Sequence, residues 1–141
     1  MYILARSRNK KDIRHYLQDR ADKVFVHICK IILYPESPYV DHWEHEIYAF
    51  ISNIQKLKGS NKLPSKSFIQ NILLQELDNM IDIYMKQAIA DEADADFADV
   101  DESYANEICK QYVIWLSEKL STDGFVSNQD VKAELNKLIF R

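Results

Sequence analysis

The sequence predicts an all-α fold, a single-domain helical bundle of about five helices spanning residues 1–141. Two observations carry that reading. Apolar residues recur at alternating spacings of three and four along most of the chain. Only two glycines and three prolines occur in 141 residues, too few for the many tight turns a sheet protein of this size needs. The chain is 47% apolar and 28% charged, an ordinary globular mix. At this length one core without staples suffices, since folding buries ~70% of the unfolded surface.

The first helix is expected over about 10–33, with Asn9 as its cap. Leu17, Ala21, Val24, Ile28 and Ile31 form one face. Val24-Phe25-Val26-His27-Ile28 is rich in strand formers, but the helical period upstream, with Ile13 and Tyr16, decides for helix. Pro35 disfavours helix at Tyr34 and ends the element.

Ser37 is placed to cap a second helix over 38–57, with Pro38 at its first position. Val40, Trp43, Ile47, Phe50, Ile54 and Leu57 make a heptad-like seam, so this helix is expected to be the central one. Gly59 is the expected stop.

Ser65 caps a third helix, 65–90, whose stripe runs Ile69, Ile72, Leu73, Leu77, Met80, Ile81, Tyr84 and Ala88. A fourth, 102–120, is expected to turn Tyr104, Ile108, Tyr112, Trp115 and Leu116 inward. Ser127 and Asp130 imitate a capping box at the start of a last helix, 127–139.

Charge is unevenly placed. Residues 1–30 hold eight basic groups against three acids, and residues 91–107 hold eight acids and no base. The acidic run Asp91, Glu92, Asp94, Asp96, Asp99, Asp101 and Glu102 reads as a docking surface for a basic partner. It fails as a calcium loop. Starting at Asp91 puts Ala93 and Ala95 at the third and fifth positions, where oxygen ligands are needed. The bland alternative is a solvated run favoured by the dipole of the fourth helix.

The basic cluster Arg6, Arg8, Lys10, Lys11 and Arg14 offers phosphate contacts. No reader motif accompanies it, and the chain is acidic overall, with net charge −4.

His42, His45 and Glu46 fall at i, i+3 and i+4 and are a weak candidate metal set. The heptad register turns both histidines toward solvent, so no metal is expected. Tyr34 and Tyr39 flank the Pro35–Pro38 connection, where exposed tyrosine suggests an interface.

Arg8 and His15, and Arg20 and His27, are each separated by six residues. In spacing this resembles the Arg-x4–6-His signature of the HEPN family of helical-bundle ribonucleases. The resemblance covers these residues alone and departs from the family's pattern, in which the motif lies late in the bundle. It implies a histidine general acid or base beside an arginine that stabilises phosphate charge. His27 borders the seam, so the second pair fits better.

The sequence contains no glycine-rich phosphate loop and no Gly-x-Ser-x-Gly, so no cofactor is expected. Cys29 and Cys109 form no Cys-x-x-Cys pair, and no stretch approaches 18 apolar residues. The N-terminal apolar run is too short for a signal peptide. A cytoplasmic location and no membrane partner are expected. The expected function is a non-catalytic protein–protein interaction or regulatory module of unknown partner, self-association included. The alternative is nucleic-acid binding through the basic N-terminal segment, extending to HEPN-like RNase activity.

Overall fold

The computed structural model describes residues 2–59, 63–92, 101–122 and 124–140, and the side chains of these from Ile13 onward except at 58 and 59. Five helices follow one another: α1 (Tyr2–Leu33), α2 (Val40–Gly59), α3 (Lys66–Asp91), α4 (Glu102–Leu120) and α5 (Asn128–Ile139). Among the described residues there is no strand. The fold is a small all-α bundle, as the spacing of apolar residues requires.

Helix α1 begins at Tyr2, well before Asn9. An asparagine cap contributes only ~1 kcal/mol. The preceding Ile3-Leu4-Ala5-Arg6 stretch consists of competent helix formers, and no glycine or proline interrupts residues 1–33. α2 begins at Val40, because Pro38 and Tyr39 form a turn in which Ser37 Oγ accepts from the Tyr39 amide at 3.1 Å.

The central helix is α1, not α2. α1 packs along both α2 and α3 and also touches α4. Its C-terminal half is buried on more than the one predicted face. Phe25, Cys29 and Ile32 are covered as well as Val24, Ile28 and Ile31. A helix apolar nearly all round must be surrounded. α2 buries Trp43, Ile47, Ile51 and Ile54 and leaves Val40 and Phe50 at the edge.

Tyr104 is not inward; it is 45% exposed. The buried stripe of α4 is centred on Ala105, Cys109, Tyr112 and Leu116. Tyr104 lies one residue, ~100° of helix, from its centre. Trp115 shares that flank and is partly buried against the Tyr112 ring at 5.2 Å.

The caps are local. Ser65 accepts from the Phe68 amide at 3.2 Å, and Asp101 accepts from the Ser103 amide at 2.9 Å. At α5 the capping box is reciprocal: the Asp130 amide donates to Ser127 Oγ at 3.1 Å, and the Ser127 amide donates to Asp130 Oδ2 at 2.9 Å. Among the described residues, no helix is long and apolar enough to cross a membrane.

Side-chain pairs give the directions of packing. Tyr16 donates to the Asn53 carbonyl at 2.9 Å, while Lys30 lies over Trp43, so α1 and α2 are antiparallel. Tyr84 meets Asp22 and Asp91 meets Lys30, so α1 and α3 run the same way. The C-terminal ends of α1 and α3 therefore converge on the N-terminal end of α2.

Candidate functional site

Where those three ends converge, a cleft of about 930 Å³ opens. One wall is the Tyr34–Tyr39 connection and the first turn of α2; the other is the end of α3. Local chemistry builds the first wall. Pro35 stops α1, the Ser37 amide closes a turn onto the Tyr34 carbonyl at 3.1 Å, and the Trp43 amide bonds the Tyr39 carbonyl at 2.9 Å. This presents Tyr39, 59% exposed, beside the buried Trp43 with ring centroids 6.4 Å apart.

Lys30 forms part of the lining. It is only 8% exposed, and its ammonium lies 3.1 Å from Asp91, 3.7 Å from Glu92 and 6.0 Å from the centre of the Trp43 ring. Desolvation works to raise the Asp91 carboxyl. Hydrogen bonds from Lys30 and Gln87 outweigh it and hold the group below its ordinary value.

His27 also lines the cleft. Its Nδ1–H donates to the Lys23 carbonyl at 2.7 Å, which leaves Nε2 without a proton in the neutral ring. Burial, and the Lys30 charge to a lesser degree, hold His27 below the usual imidazole value despite that bond. Glu36 is exposed at the rim, so three carboxylates face one ammonium that is already paired.

The predicted docking run divides between different places. Asp91 and Glu92 stand at the cleft, whereas Asp101 caps α4 and Glu102 occupies its first turn. Asp94, Asp96 and Asp99 lie outside the described residues. Of the basic set, Arg14 is exposed on α1. Arg6, Arg8, Lys10 and Lys11 lie on the same helix, but their side chains are outside the described part.

His42 pairs with Glu46 at 3.7 Å, while the His45 ring lies beside Tyr48 at 6.4 Å. Among the described residues, no three histidine, cysteine or acidic side chains converge as a metal set. Arg20 and His27 are not brought together as a catalytic pair. Seven steps of helical rise put them ~10 Å apart along α1. The Arg20 guanidinium stacks over Tyr16 at 4.8 Å and pairs with Asp19 at 3.3 Å. His15 is exposed.

Sequence reasoning expected exposed tyrosines at 34 and 39; Tyr39 is exposed but Tyr34 is buried, and Lys30 was missed. A signal existed: Lys30 interrupts the apolar run Ile28-Cys29-Lys30-Ile31-Ile32-Leu33. A lysine there is either solvated or paired, and only the fold says which. A second acidic cluster was also missed. Asp22, Glu76 and Tyr84 meet between α1 and α3, where burial, followed by the adjoining Asp22, pushes Glu76 up to about 7. Comparison with known proteins finds no matching family model, curated protein or solved structure.

Proposed function

We propose that this chain is a non-catalytic protein-interaction module that docks a positively charged segment of a partner in the cleft between α1, α2 and the end of α3. The single observation that carries this reading is that exposed Tyr39 stands at the same cleft as an excess of carboxylate: Glu36 on its own wall, and Asp91 and Glu92 on the other. Arginine and lysine suit such a surface, since a cation over an aromatic face gains ~0.5–2 kcal/mol. The acidic run that follows Glu92 in sequence adds a negative field that speeds encounter with a basic partner. Free, buried Cys29 and Cys109 fit a reducing compartment, and we assign the module to the cytoplasm.

The test is fluorescence anisotropy with a fluorescein-labelled synthetic peptide of arginine, lysine and serine. Binding is expected, weakening as salt rises and weakening roughly tenfold in Tyr39→Ala, in keeping with loss of an interfacial aromatic anchor. No binding, or binding indifferent to Tyr39→Ala, overturns the reading.

One observation favours the nucleic-acid alternative. The antiparallel α1–α2 pair and parallel α1–α3 pair gather Arg14, Lys56 and Lys66 at one end of the bundle, where the N-terminal basic segment also lies. A labelled single-stranded RNA run in the same assay separates the readings. RNA binding that is lost when Arg6, Arg8, Lys10 and Lys11 are neutralised, with no peptide binding, assigns the chain to that class.

A further inference from the structure

The molecule has charge of opposite sign toward the two ends of one continuous helix, α1. At the C-terminal end of α1 stand the cleft carboxylates Glu36, Asp91 and Glu92, and exposed Asp101 and Glu102 begin α4 after the acidic run. At the N-terminal end lie the basic residues of segment 6–14, with Lys56 and Lys66 beside it. Lys10 and Lys30 are twenty residues apart on the same helix, which places them ~30 Å apart. A continuous α1 cannot bring its own basic end back to its own cleft.

We propose that copies of this chain associate head to tail, the basic end of one seated in the aromatic cleft of the next. The inference rests on the docking reading above and names its partner as a second copy. Charge complementarity selects the occupant: the cleft holds exposed Tyr39 and excess carboxylate, and the other end of α1 carries Arg6, Arg8, Lys10, Lys11 and Arg14 in its sequence. Such a contact joins two different surfaces, so each added copy leaves one cleft and one basic end free. The assembly grows until a ring closes. Salt weakens it, because the contact is led by charges near the surface.

Sedimentation velocity of the full chain, over a concentration series at low and high ionic strength, tests this. The average mass should rise with concentration, and the association should weaken roughly tenfold or more in high salt. Two variants block one pole each: Lys10→Glu with Arg14→Glu, and Glu36→Lys with Tyr39→Ala. Arg14, Glu36 and Tyr39 are exposed, and circular dichroism of each variant is the check that its helices are kept. Each alone should be monomeric. Mixed in equal amounts they should form a one-to-one dimer and nothing larger, because only one intact cleft and one intact basic end meet. A monomeric wild type, a variant that still assembles alone, or a mixture that forms no dimer overturns the proposal. A monomeric wild type that still binds the basic probe peptide removes self-association only. Failure with the peptide as well removes the docking reading too.

Discussion

The Tyr84 hydroxyl donates to Asp22 Oδ1 at 2.5 Å across the α1–α3 contact, and the Glu76 carboxyl bonds the same Asp22 from two turns earlier on α3. Burial first, and then that bond and the Asp22 charge, push Glu76 from 4.5 up to about 7. Glu76 therefore holds its proton up to about 7. Above that, its carboxylate stands charged beside Asp22 between the helices.

Stability should therefore fall as pH rises through about 7. The folded state holds the Glu76 proton more tightly than the unfolded chain, whose value is near 4.5. This group's contribution is complete below that lower value and is lost through the upper one. Glu76→Gln keeps a donor for Asp22 and removes the second charge. Its melting temperature should exceed wild type by a few degrees at about pH 8, and the difference should close at about pH 5. A variant that melts at or below wild type at the higher pH would contradict the raised Glu76 value.

Gln55 should be worth more than its polarity suggests. Its buried amide donates from Nε2 to the Val126 carbonyl at 3.0 Å and accepts from the Val126 amide, tying α2 to the connection between α4 and α5. Gln55→Leu has a similar volume but leaves the Val126 amide and carbonyl unpaired in a buried place. Each orphan group costs ~1–3 kcal/mol, so urea denaturation should show a loss of about 2–4 kcal/mol. A loss below about 0.5 kcal/mol would show that water or a shift of the connection replaces both bonds.

The elements were legible where the signal is local. Ser65 and the Ser127–Asp130 box act through residues two or three positions away, and those helix starts were placed to within a residue. Asn9 failed because a cap worth ~1 kcal/mol competes with competent helix formers on its N-terminal side, and sequence alone does not weigh the two. The central position of α1 was hidden because one stripe already explained Leu17 through Ile31. Phe25, Cys29 and Ile32 are buried as well, and Phe25 meets Tyr84 of α3 with ring centroids 5.4 Å apart, a contact no stripe on α1 alone reveals. The cleft was half legible. Tyr34 and Tyr39 flank a proline turn, a local fact. Lys30 reaches Asp91 across sixty-one residues of sequence, and Asp22 reaches Glu76 across fifty-four; no periodicity records such pairs.

Lys30→Met should separate the structural part of the cleft from its charge. Methionine keeps the apolar stem against Trp43 but leaves Asp91 and Glu92 without their ammonium. A loss of about 1–3 kcal/mol at pH 7 is expected, below that of a fully buried pair because the carboxylates reach solvent. The sign of the pH dependence follows from Asp91, which Lys30 and Gln87 hold below 3.8 against desolvation. Its contribution is present above 3.8 and is lost as pH falls through the lower folded value. The gap between wild type and Lys30→Met should therefore narrow in acid. A constant gap from pH 7 to about pH 2 would assign the loss to packing alone.

The same substitution at two buried tyrosines should have opposite signs. Tyr84→Phe removes a hydroxyl with a charged partner, Asp22, and should cost about 1.5–3 kcal/mol. Tyr112 is fully covered between α4 and the rest of the core, and among the described residues its hydroxyl finds no hydrogen-bond partner. Burial, with Glu134 and Glu44 nearby, holds that hydroxyl well above the ordinary phenol value, so it stays protonated and still unpaired. An unpaired buried hydroxyl carries a desolvation cost of ~1–3 kcal/mol, which Tyr112→Phe relieves at nearly unchanged shape. Thermal and urea unfolding of Tyr112→Phe should show it unchanged or up to about 1 kcal/mol more stable. A loss comparable to that of Tyr84→Phe would mean that an ordered water or one of the two glutamates accepts from Tyr112 after all, and that the centre of this bundle is polar where its sequence reads as apolar.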